Sequence, residues 1–180
     1  MKIVSLENLL TEELRDIYSA EHQLIKALPE MAQAAKLDDL RIAFEDQLAE
    51  TRRHTKRIEK ICELLGISPR GRKCLGMAGL TEEADSVIHS NSDPQLLEAA
   101  LIGTAQREVH YEIAVYGTAR AHARQLGFIT AADLLGQTLT EEKQADHLLT
   151  RPAENRVNVQ VAMSKAGFER ERQSQFPTAG

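Results

Sequence analysis

The chain has 180 residues, 42% of them hydrophobic, 27% charged and only 4% aromatic, with no tryptophan and a net charge of −5. That length suits one domain with a substantial core, or a domain plus a tail. The acidic balance argues against general nucleic-acid affinity, and two cysteines do not make a disulfide framework. The abundance of Ala, Leu, Glu, Gln and Arg points to helices.

The first helix is expected over 5–35, opened by Ser5 with Thr11 as a second cap candidate, and Pro29 inside it invites a kink or a shifted last turn. The N-terminal run "MKIVSLENLLTEEL" is too acidic and too short in apolar residues for a signal peptide or a span, so a cytoplasmic location is the default expectation. The second helix spans 37–65 and stops at Gly66, with a seam of Phe44, Leu48, Thr51, Thr55, Ile58, Cys62 and Leu65. Its basic cluster, Arg52, Arg53, Lys56 and Arg57, reads as a solvated face, and Cys62 as a small core hydrophobe. "GISPRGRKCLGMAG" reads as a connection, followed by a short helix capped by Thr81.

Asp93 as N-cap and Pro94 at the first helical position start a third long helix that runs to about Leu126 and ends at Gly127. The fourth spans about 130–150, and "RPAEN" reads as its interruption. Residues 1–155 make up the domain, and 156–180 a partly mobile C-terminal extension. Four long helices with one long connection of about 28 residues describe an all-α four-helix bundle, its crossover containing a short helix.

The inner faces carry acids. Leu14, Ile17, Leu24 and Leu28 form one stripe, and Glu21 sits inside it. Leu135, Thr138, Ala145 and Leu149 enclose Glu142, with Asp146 one turn on. On the third helix Glu108 lies in the seam, and Glu112 about 40° from it. Glu50 and His54 share an edge of the second helix. An unpaired carboxylate in a core costs several kcal/mol, so these acids must turn outward, pair with Arg or Lys, or bind a cation. Glu21 precedes Glu50 and His54 by 29 and 33 residues; Glu112 precedes Glu142 and Asp146 by 30 and 34. Two helix pairs with the same donor layout fit a dinuclear carboxylate site.

"DIYSAEHQL", "KCLGMAGLTEE", "HYEIAVYGT" and "LTEEKQAD", in that order, resemble the YciF/YciE family of bacterial stress-response proteins within the ferritin-like superfamily, over roughly residues 5–160. The resemblance implies a ferritin-like bundle, a homodimer and a dinuclear iron-type centre. Its ligands would be Glu21 on the first helix, Glu50 and His54 on the second, Glu112 on the third, and Glu142 with Asp146 on the fourth. Asp16 would neighbour the site, and Tyr18 and Tyr111 could donate hydrogen bonds to its carboxylates. The sequence departs from the superfamily pattern in two ways. Both donor pairs are four residues apart rather than three, with Asp146 in place of a second His, and Val109 replaces the Glu that commonly precedes "HYE". Many carboxylates with one His favour Fe, or alternatively Mn, over Cu or Zn. Three functions fit these residues: an oxidoreductase acting on O2 or peroxide, a non-catalytic iron-binding stress protein, and an interaction bundle whose acids pair with Arg.

Overall fold

A computed structural model describes residues 3–90 and 92–163. It contains five α-helices: α1 (Leu6–Ala34), α2 (Asp38–Leu65), α3 (Leu75–Ile88), α4 (Pro94–Gln125) and α5 (Ile129–Pro152). Among the described residues there is no strand, and no helix is long and apolar enough to cross a membrane.

The ends of the helices follow local chemistry. Ser5 Oγ accepts from the Asn8 N–H at 3.1 Å, and Asp93 Oδ1 from the Gln95 N–H at 2.8 Å, with Pro94 at the first position of α4. Gly66 (φ +66°) and Gly127 (φ +78°) close α2 and α4 in the left-handed region. The following N–H reaches five residues back in each case: Ile67 to the Cys62 carbonyl at 3.0 Å, and Phe128 to that of Ala123 at 2.9 Å. α1 runs on through Pro29, with Leu28 and Met31 buried on either side.

Two connections differ from the sequence reading. The crossover helix starts at Leu75, not at Thr81, which lies inside it and donates to the Met77 carbonyl. Cys74 is its cap: Sγ accepts from the Met77 N–H at 3.4 Å, while the Cys74 N–H donates to Ser19 Oγ and its carbonyl accepts from Gln23. Glycines made "CLGMAG" read as a loop, but Met77 is fully buried and anchors that turn. "RPAEN" does not break the chain out of helix either. α5 passes into a π-helical turn at Ala153–Val157 and helical residues 158–163, and Ala153 and Val157 are buried in the core. Of the extension expected at 156–180, residues 164–180 lie outside the described residues.

α1 and α2 form one hairpin, α4 and α5 the other; α1 also packs on α4, α2 on α5, and α3 lies across α1 and α4. The core has two separate parts. One gathers Leu24, Leu28 and Met31 of α1 with Phe44, Met77, Leu101 and Leu149. The other gathers Leu10, Leu14 and Ile17 with Ile58, Ile61, Tyr116, Ala119 and Leu135. Each of the four long helices contributes to both, and near the junction of its two contributions each carries buried polar residues: Glu21, then Thr51 and His54, then Glu112, then Glu142.

Gly76 is a point of close approach, since a Cβ there would lie 2.7 Å from Tyr111 Cε2. Gly76→Ala is expected to lower stability by about 1–3 kcal/mol, read as an earlier midpoint in denaturant unfolding.

Candidate metal centre

The heptad stripes aim their interrupting acids at the same level of the bundle. Glu21, His54, Glu108, Glu112 and Glu142 are all buried. Glu21, His54 and Glu112 each offer a donor atom within 4.8 Å of the other two. Glu142 joins them, with Oε1 3.2 Å from His54 Nδ1; Glu21 Oε1 lies 3.7 Å from the same nitrogen. Among the described residues no guanidinium or ammonium group pairs with Glu21, Glu112 or Glu142. Of the basic cluster read as a solvated face, Arg53 pairs with Glu50, one of the expected ligands, at 3.3 Å, and Arg57 is largely buried and pairs with Glu141 at 2.8 Å.

Glu50 and Asp146 sit at the margin. Their side chains are 34% and 22% exposed, Glu50 facing Arg53 and Asp146 lying 3.2 Å from His110 Nε2. Glu108, weighed against Glu112 in the sequence, is buried alongside it on the same face of α4.

Burial dominates the electrostatics. It pushes the Glu21 carboxyl up to about 7, against the opposing effects of His54 and the Tyr116 hydroxyl. It pushes Glu108 up to about 8, and raises Glu112 well above the carboxylate range, with help from the charges of Glu142, Glu21 and Glu108. Burial by itself would lower the pKa of His54. The close approach of Glu142 and the charges of Glu21 and Glu142 outweigh it, and the pKa is raised.

The orphaned atoms test whether a cation fits. Glu21 Oε2, both oxygens of Glu108 and of Glu112, Glu142 Oε2 and His54 Nδ1 are buried without a hydrogen-bond partner. Lone pairs left facing one another in a dry layer have the donor chemistry of hard divalent ions with oxygen and imidazole ligands. Four buried carboxylates (Glu21, Glu108, Glu112 and Glu142) carry, when ionised, the charge that two divalent cations neutralise.

The hydrogen-bonding tyrosine is not one that the sequence suggested. Tyr18 donates to Glu59 at 3.0 Å, and Tyr111 to Asp16 at 2.8 Å, away from the cluster. Tyr116, fully buried, donates to Glu21 Oε1 and packs edge-on to His54. Its place on an inward stripe was legible, but a tyrosine there also reads as core. Glu141 was missed as well. It accepts from His54 Nε2 at 2.8 Å, and its neighbour Glu142 had drawn the assignment.

A family model described as a domain of unknown function, DUF892, matches residues 5–162. Protein YciF of Escherichia coli (strain K12) is 43% identical over 159 residues, covering 88% of this chain and 96% of its own. The crystal structure of the E. coli stress protein YciF superposes with a TM-score of 0.84, at 43% identity, over 87% of this chain and 99% of that one. YcfI of Rhodopseudomonas palustris superposes with a TM-score of 0.80, at 40% identity, over 83% and 95%. A Xanthomonas campestris protein, 21% identical with a TM-score of 0.68 over 93% and 99%, shares the fold.

The raised carboxyls set the pH response of the metal-free protein. A group whose pKa is higher folded than unfolded binds its proton more tightly in the fold. Its stabilisation is complete below the unfolded value and is lost as pH rises through the folded one. The melting temperature of metal-free protein is therefore expected to fall between pH 5 and pH 8, the interval in which Glu21 and Glu108 ionise. Glu112→Gln should flatten that fall and raise the melting temperature at pH 8; calorimetry across the pH series reads both.

Proposed function

Since this chain belongs to the DUF892 family of YciF-like helical-bundle proteins, we propose that it is a ferritin-like stress-response protein. In this reading it holds two iron ions, alternatively manganese, among its buried carboxylates and reacts with O2 or peroxide. The observation that carries this reading is the buried layer in which Glu21, Glu112 and Glu142 leave carboxylate oxygens without partners near His54, with both oxygens of Glu108 likewise unpartnered on the same face of α4. Glu21, Glu112, Glu142 and His54 would hold the ions, with Glu108 one turn along α4 and Glu50 and Asp146 at the margin as further oxygen donors. Ferrous ions held there would supply the electrons for reducing dioxygen or peroxide.

The residues of the chain do the rest. The two apolar core parts close the layer on either side and keep bulk water from it. Tyr116 holds Glu21 Oε1 by its hydroxyl, leaving Oε2 as the oxygen without a partner. The lone pairs are fixed before a ligand arrives, so little reorganisation opposes binding. We extend the reading to a cytoplasmic homodimer, an expectation that rests on the family resemblance. The name of the E. coli relative, a stress protein, supports the physiological setting and specifies no reaction.

A single preparation tests the reading. Protein reconstituted anaerobically with Fe(II) is expected to retain about two irons per chain and to melt at a higher temperature. It is then expected to consume peroxide or O2 faster than the same Fe(II) free in buffer. Glu21→Ala should lose iron while its metal-free form stays folded, since a buried charge is removed. Iron retained without faster consumption would favour a non-catalytic iron-binding role. No retention of Fe or Mn would end the metal reading.

A further inference from the structure

α3 covers only part of the face on which it lies. Its start meets α1 and α4 at Ser19 and Tyr111: the Cys74 N–H donates to Ser19 Oγ at 2.9 Å, and Cys74 Sγ lies 2.9 Å from the Tyr111 hydroxyl. From there α3 runs towards Arg107, which pairs with Glu83 at 3.1 Å. On the other side of Tyr111, the face shared by α1 and α4 has no helix over it among the described residues. A groove of about 540 Å³ lies there, within the range of about 300–1,000 Å³ that takes small ligands. Leu9 of α1 and Ala114 and Val115 of α4 line it. Leu75, the first residue of α3, stands at its edge, 80% exposed.

Charges of both signs border the groove, and they differ in whether the fold engages them. Glu12 pairs with Arg15 at 2.7 Å, Glu13 lies 2.8 Å from His122 Nδ1, and Asp16 accepts from the Tyr111 hydroxyl at 2.8 Å. Arg72 and Lys73 also line the groove, are exposed, and have no carboxylate at ion-pair distance among the described residues. They stand just before the start of α3. The first N–H groups of that helix, those of Leu75 and Gly76, have no acceptor within it, and the positive end of its dipole adds to the two cationic side chains. Both residues line the groove as well. An apolar floor with an unanswered positive end suits an amphiphile that carries one anionic head.

We propose that this groove binds a single-chain alkyl carboxylate, its chain along Leu9, Ala114 and Val115 and its carboxylate against Arg72, Lys73 and the start of α3. From Leu9 to Asp16 α1 rises about 10 Å. That is the length of a medium alkyl chain, and too short a stretch to seat a helix of a partner protein. None of the residues lining the groove belongs to the buried acid layer, so binding here requires no metal.

Calorimetric titration of the full chain with decanoate tests this, with decyltrimethylammonium as the head of opposite charge. Decanoate is expected to bind at one site per chain, and hexanoate more weakly because fewer methylenes leave water. Decyltrimethylammonium should bind more weakly than decanoate. In 15N-labelled protein, decanoate should shift the amide signals of Leu75, Gly76 and Val115 and leave those of α2 in place. Arg72→Glu combined with Lys73→Glu, both at exposed positions, should lower decanoate affinity about tenfold. Ala114→Trp, which fills the groove from an exposed position, should abolish binding. If that variant fails to fold, the double charge reversal decides. No binding of decanoate to wild type, equal binding of the two heads, unchanged affinity in the charge-reversed variant, or amide shifts elsewhere would each overturn the proposal. So would wild type that ignores decanoate and is a dimer that Ala114→Trp dissociates, since a second copy of the chain would then cover the groove.

Discussion

Acids placed where solvent cannot reach resist ionisation, and placed beside one another they resist it more. Each costs several kcal/mol as an unpaired ion, against a net stability of about 5–15 kcal/mol for a whole domain. Three such groups around one histidine, with Glu108 buried a turn away on α4, set a constraint on the whole packing. They divide the core into two apolar parts, and every long helix has to carry two hydrophobic stripes with a polar interval between them. Tyr116 is set opposite Glu21, and Glu141 with Arg57 backs His54 from outside. The crossover keeps α2 and α4 from lying side by side, so each hairpin faces the other across the acids.

Much of this was legible in the sequence, because the forces that fix it are local. Asp93 before Pro94 and the glycines at 66 and 127 mark helix ends by backbone chemistry that needs no tertiary context. Glu21, Glu108 and Glu142 stand out because a heptad stripe that should be apolar is broken on one helix after another, and Glu112 lies about 40° from Glu108 and was singled out by the family resemblance. His54 followed from its register with Thr51 and Thr55, and it too is buried.

What was less legible depends on partners distant in sequence. Cys74 caps α3 only because Ser19 and Gln23 of α1 receive its backbone, and Gly76 tolerates the helix because Tyr111 fills the space beside it. The glycines alone spelled a loop. Tyr111 and Tyr18 carry the same hydroxyl as Tyr116, but their positions around the helix direct them to Asp16 and Glu59 instead. Glu141 has no periodic signature, since its role comes from Arg57 and His54, more than eighty residues earlier. Glu50 was already marginal in register, 100° from the centre of its seam, and it stands at the margin of the cluster beside Arg53.

The π turn at Ala153–Val157 bears on how the bundle is closed at one end. A wider turn shifts all that follows by about one residue's rotation relative to an α-helix. Ala153 and Val157 both point inward across it, four residues apart, and Arg156 reaches Asp39 at the start of α2. The last turns of the described chain thus pack chiefly on α4 and α5, and add one exposed ion pair to the start of α2. The turn thereby carries the apolar stripe of α5 one step further, and Ala153 and Val157 close the core part that holds Leu149 and Leu101.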